Sequence, residues 1–126
     1  MQKQSIADAS APPPQVFGDP DADITLIGWG STKGAVLEAI KQYSIFNIQF
    51  SINYLHLNYI NPFPTTFVTN FLSKAKKVID IEGNYNGQMA DYILMKTGIV
   101  IKNKILKFDG RPFYPEDVIE GIKKYV

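Results

Sequence analysis

The stretch "TLIGWGSTKGAVLEAI", Thr25 to Ile40, decides the fold. Ile24 to Gly28 reads as a short buried strand, and Val36, Leu37, Ile40 and Tyr43 then recur at helical spacing. Between them, Gly28-Trp29-Gly30-Ser31-Thr32-Lys33-Gly34 must turn the chain within a few residues, which glycines permit. The hydroxyl of Ser31 or Thr32 is suited to cap the helix that follows. Such a loop could also cradle a phosphate, because backbone N–H groups at a helix start attract anions. The spacing G-x-G-x-x-x-G is one residue longer than the dinucleotide fingerprint, and G-K-[ST] is absent. The second strand ends in Leu57-Asn58-Tyr59, with no acid to hold a ribose. The loop therefore reads as a tight structural turn. Gly30, Ser31 and Thr32 are the residues that an anion would touch if it bound there.

Working outward, Phe50 to Leu57 reads as a second strand, rich in β-branched and aromatic residues. Pro62-Phe63-Pro64 breaks the chain. Phe67, Val68, Phe71, Leu72 and Ala75 form a helical stripe, with Lys74, Lys76 and Lys77 near its C-terminus, where cations suit the helix dipole. Val78 to Ile81 is a third strand. Met89, Ala90, Ile93 and Leu94 give a third helix face, with Gly98 placed as its C-terminal cap. Ile99 to Phe108 is strand-like but interrupted by Lys102-Asn103-Lys104, and it reads either as one strand with a kink or as a strand after a short turn. Pro115-Glu116-Asp117 opens the last helix, whose buried face is Val118, Ile119, Ile122 and Val126. The alternation β-α-β-α-β-α-β-α implies an α/β fold with a mostly parallel sheet and helices on both faces. Right-handed crossovers favour strand order 2-1-3-4, with a switch point between the first and third strands. Ligands in such sheets sit beyond the strands' carboxyl ends, at the switch. Residues 28–34, 82–88 and 58–65 converge there.

A chain of 126 residues is one domain by size and can bury roughly two-thirds of its unfolded surface. Hydrophobic residues make up 45%, so it is built to fold. A net charge of +1, with basic residues scattered, argues against a dedicated nucleic-acid or membrane-surface binder. The absence of cysteine excludes disulfides, a cysteine nucleophile, thiolate zinc sites and any iron–sulfur cluster held by this chain, and it fits a reducing cytoplasm. No run reaches the ~18 apolar residues of a membrane span, and residues 1–20 do not read as the apolar core of a secretory signal. Residues 1–20, with Pro12-Pro13-Pro14, read as a flexible interdomain linker before a domain at 21–126.

His56 is the only histidine, so a metal cluster is not expected, and a structural role near a strand end is the simpler reading than acid–base work. Asp80 and Glu82 alternate on one strand face, but spacing alone gives no acid–base geometry. Glu82, Asn84, Asn86 and Gln88 form a polar cluster that reads as a capped turn and a solvated helix start. Arg111, in Asp109-Gly110-Arg111-Pro112-Phe113, could fork onto a carboxylate or phosphate and is better suited to tie loops or domains together. Trp29, Phe63, Phe113 and Tyr114 lie in predicted loops, where aromatics beside prolines mark a face that meets another domain. Trp29, His56, Phe63, Arg111 and Phe113 are thus the interface candidates, and no catalytic residue is assigned.

The stretches "FGDPDADITLIGWGSTKGAVLEAI", "HLNYINPFP", "KKVIDIEGNYNGQMADYI", "KTGIVIKN" and "KFDGRPFYPEDVIEGI" cover most of the chain from about Val16 to Val126. In order and spacing they resemble the C-terminal domain of the alpha subunit of 2-oxoacid:ferredoxin (or flavodoxin) oxidoreductases. The resemblance implies a transketolase C-terminal-like fold: a three-layer α/β/α sandwich whose mostly parallel sheet admits an antiparallel edge strand. It also implies an assembly that oxidatively decarboxylates pyruvate or 2-oxoglutarate with thiamine diphosphate, passes the acyl group to coenzyme A, and sends electrons through iron–sulfur clusters to ferredoxin. In the family, other domains build the thiamine diphosphate site and other segments hold the clusters. This chain agrees, having neither cysteine nor a G-D-G…N-N signature. It departs at Glu82-Gly83-Asn84, where many relatives carry Glu-Asn-Asn.

The expectation is therefore a non-catalytic organising domain that binds no cofactor and is inactive alone. Its partners would be the remainder of the alpha subunit and the beta subunit that carries thiamine diphosphate and iron–sulfur, with ferredoxin served by the full enzyme. The rival expectations are a stand-alone flavodoxin-like module for a small molecule or nucleotide, and a transketolase-type C-terminal domain of another thiamine enzyme. The linker favours the first over a self-sufficient binding module, and "GWGST" with "DGRPF" favours it over transketolase proper.

Overall fold

The computed structural model describes residues 14–29, 32–46, 50–57, 64–83, 88–106 and 113–125. Five strands, β1 (Gln15–Phe17), β2 (Ile24–Trp29), β3 (Ile52–Leu57), β4 (Val78–Glu82) and β5 (Asn103–Leu106), alternate after β1 with four helices. These are α1 (Lys33–Phe46), α2 (Thr65–Lys74), α3 (Gln88–Thr97) and α4 (Pro115–Lys123). The strands form one sheet in the order β1-β3-β2-β4-β5. β2 is parallel to both β3 and β4, β4 is parallel to β5, and β1 runs antiparallel along β3. The four strands anticipated from sequence therefore stand in the anticipated order 2-1-3-4, and β1 is the antiparallel edge.

One expectation needs correction. Residues 15–17, read as part of a 1–20 linker, form β1, in register from Gln15 opposite His56 to Phe17 opposite Tyr54. Residues 1–13 of that stretch lie outside the described residues. Of the strand-like run from Ile99 to Phe108, whose residues 107 and 108 lie outside the described residues, Asn103–Leu106 form β5. The chain first spends Gly98, with φ +77°, on closing α3 through its N–H to the Leu94 carbonyl at 2.8 Å.

Every residue of β3 is buried, and so is β2 up to Gly28, because helices cover both faces of the sheet. Alternation along the strands divides the core in two. On one face, Ile24, Leu26, Ile52, Tyr54, Ile79, Ile81 and Ile105 pack against Val36, Ala39 and Tyr43 of α1 and Val118 and Ile122 of α4. On the other, Ile27, Leu55 and Leu57 pack against Val68 and Leu72 of α2 and Met89, Ala90 and Ile93 of α3. Gly121 brings α4 onto β5 so closely that an added Cβ would lie 2.5 Å from Ile105 Cδ1.

At the amino end, Asp23 and Ser51 tie the starts of β2 and β3. The Ser51 N–H and hydroxyl donate to Asp23 Oδ2 at 3.1 and 3.2 Å, and the Asp23 N–H donates to Ser51 Oγ at 2.9 Å. The Ser51 N–H, chiefly, holds the Asp23 carboxyl below its usual range. On the outer side of β5, the Tyr125 hydroxyl donates to the Lys104 carbonyl at 2.7 Å and accepts its N–H at 3.2 Å. That satisfies part of an edge which would otherwise stand open to pairing.

Candidate functional site

The carboxyl edge of β2, β3 and β4 is where an α/β sheet of this order would hold a ligand. On the α1 side, Tyr54 and His56 are two residues apart on β3 and so point the same way. The Tyr54 hydroxyl lies 2.7 Å from His56 Nδ1 and 3.4 Å from Thr32 Oγ1, and the Thr32 hydroxyl donates to the Trp29 carbonyl at 3.0 Å. Gly28, opposite His56 in register, leaves room for this chain. A Cβ there would meet the Tyr54 hydroxyl at 2.9 Å and Thr32 Oγ1 at 3.0 Å. The first glycine of the turn is thus required by a buried phenol. Thr32, expected to cap α1 or to face an anion, is buried and turns its hydroxyl back onto β2.

Lys33 completes this side. Its ammonium donates to Gln15 Oε1 at 3.0 Å and stands 5.2 Å from the Phe17 ring centroid, so α1 is pinned to the edge strand β1. Phe17 in turn stacks on Tyr54. Burial, and secondarily the Lys33 charge, hold His56 below the usual histidine range. Burial pushes the Tyr54 phenol up to about 12, against the weaker opposing effect of its contact with Thr32.

On the α3 side, Glu82 closes β4 and is fully buried. Its Oε1 accepts the Met89 N–H at 2.6 Å and its Oε2 the Ala90 N–H at 3.2 Å. A carboxylate of the strand therefore takes the place at the start of α3 that an external anion would take. Asp80, two residues earlier on the same face, is also fully buried, yet neither carboxyl oxygen has a hydrogen-bond partner among the described residues.

Of the interface candidates, Trp29, His56 and Phe113 lie among the described residues. His56 is 5% exposed, within the α1 side. Phe113 is half-buried against the core beneath α1 and α4. Trp29 is the last residue of β2 rather than a loop residue, and it leans on the opposite core. Gly30, Ser31, Phe63 and Arg111 lie outside the described residues, as do Asn84 and Asn86 of the polar turn. A groove of about 330 Å³, lined by Pro20, Asp21, Phe67, Asn70, Phe71 and Lys74, lies beside α2, toward the amino ends of the strands. Among the described residues no group of three or more His, Asp or Glu could hold a metal, and no helix is long and apolar enough to cross a membrane.

Sequence reasoning missed Tyr54 as the centre of the α1-side chain and Glu82 as the cap of α3. The first was signalled by Tyr54 and His56 alternating on one strand. The second was signalled by an acid placed just before a helix start.

Fold and edge together define a three-layer α/β/α domain of the transketolase C-terminal type. The solved split-gene transketolase in its inactive beta4 tetramer overlays on 87% of the chain at a TM-score of 0.64 and 15% identity, a likeness of fold alone. The model of the pyruvate:ferredoxin oxidoreductase core domain II family matches residues 22–118, and the chain belongs to that family. It is 38% identical, over 96% of its length, to the alpha subunit of 2-oxoacid:ferredoxin oxidoreductase 1 from Aeropyrum pernix, of which it spans 19%. The 2-oxoglutarate:ferredoxin oxidoreductase from Magnetococcus marinus, solved with 2-oxoglutarate, coenzyme A and succinyl-CoA, matches 98% of the chain at a TM-score of 0.81 and 27% identity. The chain covers 21% of that protein. The alpha chain of a probable 2-oxoacid ferredoxin oxidoreductase from Thermoplasma acidophilum is 43% identical, with a TM-score of 0.63. There the match covers 91% of this chain and 97% of the solved one.

Proposed function

We propose that this chain is a non-catalytic organising domain of a 2-oxoacid:ferredoxin oxidoreductase alpha subunit, which docks onto the rest of the assembly and binds no cofactor itself. The full assembly would convert a 2-oxoacid, 2-oxoglutarate or pyruvate, and coenzyme A into an acyl-CoA and carbon dioxide. Thiamine diphosphate and iron–sulfur clusters would be held elsewhere, in the remainder of the alpha subunit and in the beta subunit, and ferredoxin would take the electrons in the cytoplasm.

One observation carries this reading: among the described residues of the carboxyl edge, the buried polar groups are turned onto the protein itself. Glu82 occupies the first N–H groups of α3, Thr32 is bonded to Trp29, and Tyr54 is bonded to His56. An edge built for a small molecule would keep such groups free to orient it. Trp29 and Phe113, half-buried at this edge, keep apolar surface for a neighbouring domain.

The test is an affinity pull-down with the chain as bait in extract of its source organism. Recovery of an iron–sulfur, thiamine-dependent oxidoreductase is the expected result. A stable, monodisperse bait that recovers no such enzyme contradicts the docking role. Coenzyme A titrated into the labelled chain is expected to leave the amides of Gly30, Ser31 and Thr32 unshifted, and saturable shifts there would assign the turn a ligand.

A further inference from the structure

Asp80 is a buried carboxyl group that the proposed function does not use and no hydrogen bond among the described residues explains. It lies at the middle of β4, fully buried, with both oxygens unpartnered among the described residues. An isolated carboxylate in such a place forfeits its hydration with nothing in return, so the neutral acid is the form the site tolerates. Its surroundings act in the same direction. Glu82, on the same strand and face, has both carboxyl oxygens taken up by the Met89 and Ala90 N–H groups, and its charge disfavours a second anion beside it. From α3, packed above, Asp91 adds a second negative charge. From β5, Lys104 stands opposite Asp80 in register and opposes them, but it makes no ion pair with Asp80. From β2, the neighbour in register is the uncharged Ile27.

We propose that Asp80 is carried as a protonated acid in the folded domain, so that folding takes up one proton and the β4–α3 side tightens in mild acid and loosens in alkali. Burial first, then the Glu82 carboxylate, push the Asp80 acid up to about 9 from the ordinary 3.8. The sign follows from proton counting. Between those two values the unfolded chain has lost the proton and the folded chain keeps it. Each unit of rising pH therefore lowers the folding equilibrium constant by up to about tenfold through this group. The usual buried, salt-bridged aspartate behaves in the opposite way.

Two measurements test this. In the first, the 13C shift of the Asp80 carboxyl carbon is followed by NMR in the intact chain from pH 5 to pH 9. A protonated shift at pH 7 is expected, and an ionised shift at pH 7 overturns the proposal without any mutation. In the second, urea unfolding of the chain and of Asp80→Asn is compared across the same range. The variant is expected to gain on the parent by up to about tenfold in folding constant per pH unit. Parallel profiles for the two proteins would overturn it equally. Should Asp80→Asn fail to fold, the carboxyl shift decides alone.

Discussion

The two faces of the sheet treat buried polarity in opposite ways. On the α1 face, Thr32, Tyr54 and His56 form a chain in which each hydroxyl finds a partner, and Gly28 is shaped to admit it. On the α3 face, Glu82 is fully engaged while Asp80, on the same strand, is not. The first face engages its buried hydroxyls with one another and with the backbone. The second holds two acids in one apolar layer, of which only Glu82 accepts hydrogen bonds among the described residues. Among the described residues, the carboxyl edge thus engages Thr32, Tyr54, His56 and Glu82 in internal order, in keeping with the proposed organising role.

The sharpest way to break the contrast is Glu82→Ala. It strips the cap from α3 and leaves the buried Met89 and Ala90 N–H groups unpaired, for an expected loss of about 3 kcal/mol in urea unfolding. It should also let Asp80 ionise at lower pH, visible in its carboxyl shift. Gly28→Ala attacks the other face by driving a methyl into the Tyr54 hydroxyl, at an expected cost of about 2 kcal/mol. Adding Tyr54→Phe to that variant should recover part of the loss, since the closest clash is with the hydroxyl. Tyr54→Phe alone should cost about 1 kcal/mol, with the His56 ring resonances shifted because Nδ1 loses its partner. Met95→Ala, at a side chain 70% exposed, should change stability by no more than about 0.5 kcal/mol.

The two faces should also separate by pH. His56 titrates below its ordinary 6.5 in the folded state, so as pH falls through that value the unfolded chain takes the proton first and stability declines. Asp80 gives the opposite slope at higher pH. His56→Gln should remove the acid-side decline and leave the alkaline one in place, which paired unfolding profiles would read directly.

Much of the fold could be read from sequence because its signals are local. The apolar run at Ile24, the helical spacing from Val36 and the glycine at residue 98 each name an element or its end. β1 escaped because Gln15, Val16 and Phe17 are strand only through pairing with β3, a long-range contact that no window of three residues can signal. The site was less legible for a related reason. Glu82 is seven residues from Met89 in sequence, and only the turn of the chain between them brings a strand carboxylate onto a helix start. Asp80 and Glu82 could be placed on one face from their spacing, but which of them would find donors depended on where α3 docks.

The most direct test of the organising role is an electron-transfer assay on the purified chain. It would be supplied with pyruvate or 2-oxoglutarate, thiamine diphosphate and coenzyme A, with methyl viologen as acceptor. No viologen reduction is expected from the chain alone. Turnover that rises in proportion to the chain and survives further purification would contradict the account, because it would place catalysis in residues whose polar groups are here turned inward.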